Sequence, residues 1–388
     1  LAGSVVGWDA DPDVLSWPGL GALDADLTAD VCVVGLGGSG LAAVGAALER
    51  GLTVVGVDAG RVAAGAAGRN GGFLLAGPAV AIHHAAAGWG LEAALALYRD
   101  TLAEIDRLAD LLGHGVVRRT GSIRLAGLPG PVRTEAEQAD RDAELADCAE
   151  QLRVLHQHGF EAEVYAGELG NGLFLPDDAA MNPARRALGL ARRYGAGARL
   201  FEHSPVVGIH EGLVRTGAGS VAAGAVVVAV DGRLEVLLPE LEGRVRTTRL
   251  QMLSTEPISV GRLPCPVYGR WGYDYAQQDG EGRLFVGGGR DRHLDTEWTA
   301  ATEPTDAVQR WIQEVADRFA GAPVQVSHRW GASVGYTPDA RPLVSEVRPG
   351  VVACGGYNGT GNLVGPIAAR AALALALDRT PPPSCFAP

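Results

Sequence analysis

An α/β fold is predicted by three features of the chain. Near the front, a short apolar strand passes through a glycine-rich turn into an Ala- and Leu-rich helix. The same grammar returns at the tail, and strand follows strand with Gly and Pro punctuation in between. One α/β domain assembled from separated segments is therefore expected beside a second, α+β domain built on an antiparallel sheet.

At 388 residues the chain has room for two or three domains of roughly 100 to 200 residues each. Its net charge of −12 supplies no cationic footprint for phosphate backbones or anionic lipids, so nucleic acid is excluded as a partner class. All of its basic residues are Arg, which removes Schiff-base lysines, pyridoxal-phosphate anchors and phosphate-loop lysines together. The five Cys (Cys32, Cys148, Cys265, Cys354, Cys385) are scattered, with no CxxC pair and no metal-ligand spacing. A reducing, cytoplasmic setting is expected, and no uncharged apolar stretch approaches the ~20 residues of a membrane span. With Leu1 as the first residue, the true start stays open.

In chain order, residues 1–27 read as a loose lead containing Pro and Trp. Residues 31–34 form a buried strand, 39–50 a helix, and 52–57 a second strand ending at Asp58. Residues 91–112 and 135–158 read as amphipathic helices. Residues 160–165, 198–201, 206–210 and 226–230 read as strands. Residues 245–289 carry the antiparallel pattern, 305–320 a helix, 351–354 a strand and 363–377 the last helix.

Gly35-Leu36-Gly37-Gly38-Ser39-Gly40 fits G-x-G-x-x-G between a strand and a helix, which makes the front domain a Rossmann-like dinucleotide binder. Gly35 permits the tight turn, Gly37 lets the backbone approach a pyrophosphate, and Gly40 lets helix and strand pack closely. Asp58 stands near the ~20-residue offset at which a carboxylate accepts ribose hydroxyls. Residues 59–73 follow, a glycine-laden stretch with Arg61, Arg69 and Asn70. It is either a flexible surface loop or a backbone approached by something large and flat. The second cluster, Gly359-Thr360-Gly361-Asn362-Leu363, opens the last helix. It is either a ligand-facing turn or an N-terminal turn with Thr360 as cap.

These residues resemble the FAD-dependent amine and amino-acid oxidase superfamily that includes glycine oxidase, D-amino-acid oxidase and sarcosine oxidase, and most of all its γ-glutamylputrescine oxidase-like group. The likeness runs through ADVCVVGLGGSG from Ala29, VDAGRVAAGAAGRNGG from Val57, VVVAVDG from Val226, LSTEPI from Leu253, GRLFVGGGRD from Gly282, YTPDARPLV from Tyr336 and GGYNGTGN from Gly355. It implies a discontinuous FAD-binding domain (28–83, 176–233, 328–379) interleaved with a substrate domain (84–175, 234–327). It also implies that Gly35, Gly37, Gly38, Ser39 and Gly40 hold the pyrophosphate and that Asp58 and Ala59 meet the ribose. Arg61, Arg69, Asn70, Gly71 and Gly72 would run beside pyrophosphate and flavin, and Val206 would meet the adenine edge. Asp231-Gly232 stands where the family has an Ala-Thr-Gly-like turn. Gly359, Thr360, Gly361, Asn362 and Leu363 would face the N1 and C2=O side of the flavin, where negative charge collects on reduction.

The implied reaction takes a hydride from the carbon beside a neutral amine, after which the imine is hydrolysed. Oxygen receives the electrons, giving hydrogen peroxide, or a quinone or carrier does. A non-catalytic flavin-binding protein is the reading from another class. The flavin does the chemistry, so no protein nucleophile and no metal is called for, and the adjacent His83-His84 pair lacks helical metal-site spacing. The chain departs from the family in three ways. Val334 stands where an Arg pairs the substrate carboxylate, which turns attention to Arg290 and Arg270. No Lys is present to assist oxygen. Ala332-Ser333-Val334 offers no Cys for covalent attachment, so non-covalent FAD is expected. Tyr273 and Tyr275 share strand parity with Trp271, and are either substrate contacts or sheet-packing aromatics. Gln251 and Trp330 are further substrate-side candidates. Cys354 reads as core.

Overall fold

In the computed structural model, which describes residues 6–387, the front of the chain forms the expected strand, helix, strand unit: Asp26–Val34, Gly38–Glu49 and Val54–Val57. The first strand begins five residues earlier than its apolar run. Its polar half, exposed at alternate residues, pairs with residues 220–223. Parallel pairing sets Ser220–Val228 on one side of it and Val54–Val57 on the other. Val351–Gly355 and Arg199–Phe201 extend the parallel core outward.

Both faces of this sheet are covered, as a parallel sheet requires. Alternate residues of the first strand point to opposite cores. Val31 and Val33 pack with Leu41, Val44 and the last helix, Val364–Asp378, whereas Cys32 and Val34 pack with Val214, Leu234 and Leu241. Cys354 is buried among aliphatic side chains, as expected.

The second sheet orders eight described strands: 326–336, 246–255, 284–287, 274–278, 267–269, 122–125, 170–175 and 163–167. It is antiparallel except where 267–269 runs parallel to 122–125. Helix Asp306–Ala320 covers it with Val308, Ile312, Val315 and Phe319. Its edge strand Val326–Tyr336 carried no alternating pattern and went unread. It pairs with Arg246–Thr255 along its length, so it belongs to this sheet although most of it falls inside the last expected cofactor segment, 328–379.

Two expectations need correction here. The lead is packed rather than loose from residue 6 onward, its residues 1–5 lying outside the described residues. Trp8 stacks on Phe285 with centroids 3.4 Å apart, and Trp17 donates to Glu202 Oε1 at 2.9 Å. The strand proposed through residues 271–275 begins only at Asp274. Arg270 and Trp271 sit at φ 51° and 54° in a 3-10 turn, so parity does not place Trp271 and Tyr273.

Candidate functional site

The first glycine turn is built by close approach. Gly35 has φ +94°, and a Cβ on Gly40 would lie 1.7 Å from the Gly35 carbonyl oxygen, so helix and turn touch as the motif requires. Gly37 is the N-cap of the helix and provides no side-chain bond, which leaves the first backbone N–H groups open. Asp58 accepts from the N–H of Leu36 at 2.8 Å and of Gly60 at 2.9 Å, bracing the same turn. Burial pushes its carboxyl above the usual range while those two N–H groups pull it back.

The second turn is left-handed at Asn358 (φ 54°) and Gly359 (φ 92°). Thr360 does not cap the helix: its hydroxyl donates to the Tyr357 carbonyl at 2.7 Å, and the last helix, too, has no side-chain cap. Asn362 fastens this turn to the first Gly-rich stretch. Its Nδ2 donates to Asn70 Oδ1 at 2.9 Å and to the Phe73 carbonyl at 2.8 Å, and Asn70 Nδ2 donates back to Asn362 Oδ1 at 3.2 Å.

Both turns open onto one cavity of about 1460 Å³, larger than the ~300–1,000 Å³ of ordinary small-molecule pockets. Gly35, Gly37, Gly38, Ser39, Asp58, Ala59, Arg69, Asn70, Gly71, Val206 and all of 359–363 line it. A dinucleotide fits this arrangement. The uncapped N-terminus of helix Gly38–Glu49 offers N–H groups to phosphate, the half-buried carboxylate of Asp58 stands beside it, and glycines leave room for a close backbone approach.

Other predicted cofactor residues lie elsewhere. Arg61 pairs with Asp9 at 3.1 Å and is absent from the lining. Gly72 (φ +73°) is behind the wall, where a Cβ would meet the Met181 carbonyl oxygen at 2.2 Å, and Gly40 acts through packing. None of the five cysteines, all free and buried, lines the cavity.

On the substrate side, Tyr275, Tyr273, Gln251 and Arg290 line the cavity, and Val334 does as well. Tyr275 is wedged between Gly71 and Gly287, where added Cβ atoms would approach its ring to 3.0 and 2.4 Å. Gln251 uses its amide internally, donating to Glu297 Oε2 and Thr305 Oγ1 and accepting from Thr305 N, each at 2.9 Å. Two candidates are structural. Arg270 pairs with Asp274 and Asp291, and Trp330 is fully buried, donating to the Arg69 carbonyl at 2.8 Å; neither lines the cavity.

Arg290 is different. Its guanidinium lies 4.4 Å from the ring centroid of Tyr336, 5.5 Å from Tyr273 and 5.8 Å from Trp298, and no ion pair holds it among the described residues. Its guanidinium thus faces the cavity without a carboxylate partner among the described residues.

Sequence reasoning read Asp231 only as the end of a strand, and it missed Arg186 and a polar group at the far side of the cavity. Asp231 accepts from the N–H of Gly335 and Tyr357, tying the strand end to both sheets. Arg124 and Asp147 pair there, and His83 and His84 direct Nε2 at the same Asp147 Oδ1 at 2.8 and 2.7 Å. His83, His84 and Asp147 are the one set of metal-capable side chains grouped among the described residues, but Arg124 already balances the carboxylate. For Arg186 a signal existed, since helical phase sets it on the stripe of Leu190 and Tyr194.

No described helix is long and apolar enough to cross a membrane. A profile of the DAO family, described as FAD dependent oxidoreductase, matches residues 30–375. The chain is 28% identical over 213 residues to the probable oxidoreductase OrdL of Rhizobium meliloti (strain 1021), a match spanning 52% of this chain and 48% of that protein, so it covers about half of that relative. Its fold is similar to that of glycine oxidase from Geobacillus kaustophilus (TM-score 0.71, 19% identity, 91% of this chain and 95% of that one). It is likewise similar to that of L-proline dehydrogenase from P. horikoshii (TM-score 0.71, 16% identity, 92% and 96%).

Proposed function

The chain belongs to the DAO family of FAD-dependent oxidoreductases, and from that premise we propose that it oxidises the C–N bond of an amine that carries a carboxylate, an amino acid or an N-substituted one. The observation that carries this reading is Arg290: a guanidinium in the cavity wall, stacked among aromatic rings, with no carboxylate of its own. It takes over the task for which Val334, at the usual position, has no chemistry.

Gly35, Gly37, Ser39, Asp58 and the turn at 359–363 would hold a non-covalent FAD, which would supply the hydride acceptor and, with oxygen as the electron acceptor, hydrogen peroxide as the second product. The chain's own residues bind and orient. Arg290 pairs the carboxylate bidentately, which fixes the direction of the α-carbon. Tyr275 and Tyr336 form apolar walls that exclude water while the hydride leaves the neutral amine. The turn at 359–363 and the N-terminus of the last helix would favour negative charge on the part of the cofactor they face. The resulting imine is hydrolysed by water. The cofactor belongs to the domain of residues 28–83, 176–233 and the chain beyond strand 326–336. Residues 84–175 and 234–327, with that strand, form the substrate side. Five free cysteines support a cytoplasmic placement.

The test is anaerobic mixing of the yellow protein with D-amino acids, secondary amino acids and polyamine derivatives, followed by air. Bleaching of the flavin by a carboxylate-bearing amine, with peroxide formed on reoxidation, is expected. Bleaching without peroxide redirects the electrons to a quinone or carrier. No bleaching by any amine overturns the reading in favour of a flavin-binding protein without turnover.

A further inference from the structure

We propose that Arg186 is the buried counter-charge of the cofactor diphosphate, an inference that rests on the FAD site described above. Arg186 sits on helix Pro183–Tyr194 and is 1% exposed. Its Nη2 donates to the Asn362 carbonyl at 3.0 Å, its Nε has no partner, and no ion pair holds it among the described residues. Glu104, the acidic side chain that acts on it, is committed to Arg370.

The guanidinium lies against the first residue of the fingerprint helix, since a Cβ on Gly38 would come within 2.1 Å of Nη1. It also touches the second turn through Asn362, and it lines the cavity. Two helix N-termini, each bearing a partial positive charge, therefore meet a full positive charge at one buried point. A buried cation is costly unless it is paired, and the Asn362 carbonyl and the distant pull of Glu104, itself bound to Arg370, leave this one without a carboxylate of its own. An anion entering the cavity between the two turns relieves all three. The diphosphate is the anionic part of the dinucleotide, and it is expected between those turns. Burial lowers the guanidinium's pKa to about 10, in keeping with a charge that has lost water and forms no ion pair among the described residues.

The experiment compares wild type, Arg186→Met and Arg186→Lys as purified holoenzymes. FAD retention on serial dilution and filtration is measured, together with the ³¹P resonances of bound FAD and the melting temperature at several added FAD concentrations. Arg186→Met should weaken FAD binding by about tenfold or more, the size of a lost charge-assisted bond. Arg186→Lys should retain more cofactor than Arg186→Met, and at least one ³¹P resonance should move in either variant. Unchanged retention and unchanged ³¹P resonances, with melting lowered equally at every FAD concentration, would overturn the inference and leave Arg186 as a prop for the Asn362 carbonyl. Should Arg186→Met fail to fold, the ³¹P spectrum of Arg186→Lys decides alone. Wild-type protein that binds no FAD would instead defeat the reading of the site itself.

Discussion

Asn70 and Asn362, separated by 292 positions, exchange two side-chain hydrogen bonds and thereby hold the two glycine turns at one cavity. Neither turn alone could span a dinucleotide. The pair fixes their spacing, and Asn362 adds a third bond to the Phe73 carbonyl.

Asn362→Ala should therefore loosen the joint. Leaving Asn70 without its partner costs on the order of 1–3 kcal/mol. The urea midpoint should fall, and more flavin should be lost on gel filtration than from wild type. Full flavin retention at reduced stability would mean that the pair holds the fold and not the site.

Gly37→Val separates cofactor from fold. A Cβ at Gly37 meets just one neighbour, Ala67 Cβ at 3.3 Å, so the turn tolerates it while the γ-methyls take the space of the phosphates. Folded, colourless protein is expected by circular dichroism and absorbance. Gly40→Ala should fail earlier, at folding, because its Cβ would overlap a backbone carbonyl.

The glycine turns were legible because their information is local: a tight turn, a close approach and a helix start follow one another within six residues. The helix 91–112 was legible through its apolar periodicity, whereas 135–157, expected to be amphipathic, has no clear apolar stripe and is marked instead by its run of Ala, Glu, Gln and Leu. Arg270 and Trp330 were misassigned because parity and proximity in sequence say nothing about partners. Asp291 claims Arg270 across a turn of positive φ, and the Arg69 backbone, 261 positions away, claims Trp330. Helical phase could have shown that Arg186 is buried, but not what it does. Its significance lies in the absence of a carboxylate partner, which no sequence window displays.

The two arginines offered as substrate contacts are separable by mutation. Arg290→Met should raise KM for a carboxylate-bearing amine by about tenfold or more with a smaller change in kcat, and should leave the melting temperature near that of wild type. Arg270→Met strands the buried carboxylate of Asp274 and should destabilise by about 3–5 kcal/mol. Steady-state kinetics beside thermal melts distinguish the two.

Stability should fall with rising pH through Asp178. This carboxyl is fully buried beneath Ser122 and the Ala76 N–H, and burial pushes its pKa up to about 7. Because the folded value exceeds the unfolded one, its stabilising contribution is complete below about pH 4 and is lost as pH rises through about 7. Asp178→Asn keeps both hydrogen bonds without the charge. Melting curves between pH 4 and 8 should be flatter for the variant, and an identical slope would remove Asp178 from the account.

A crystal structure of the yellow protein tests the central claim most directly. Continuous density for one FAD is expected, with its ribose at Asp58, its diphosphate between Gly37 and Asn362, and its isoalloxazine against Tyr275. Density for the cofactor at any other surface, or protein that crystallises without a flavin and takes none up on soaking, would contradict it.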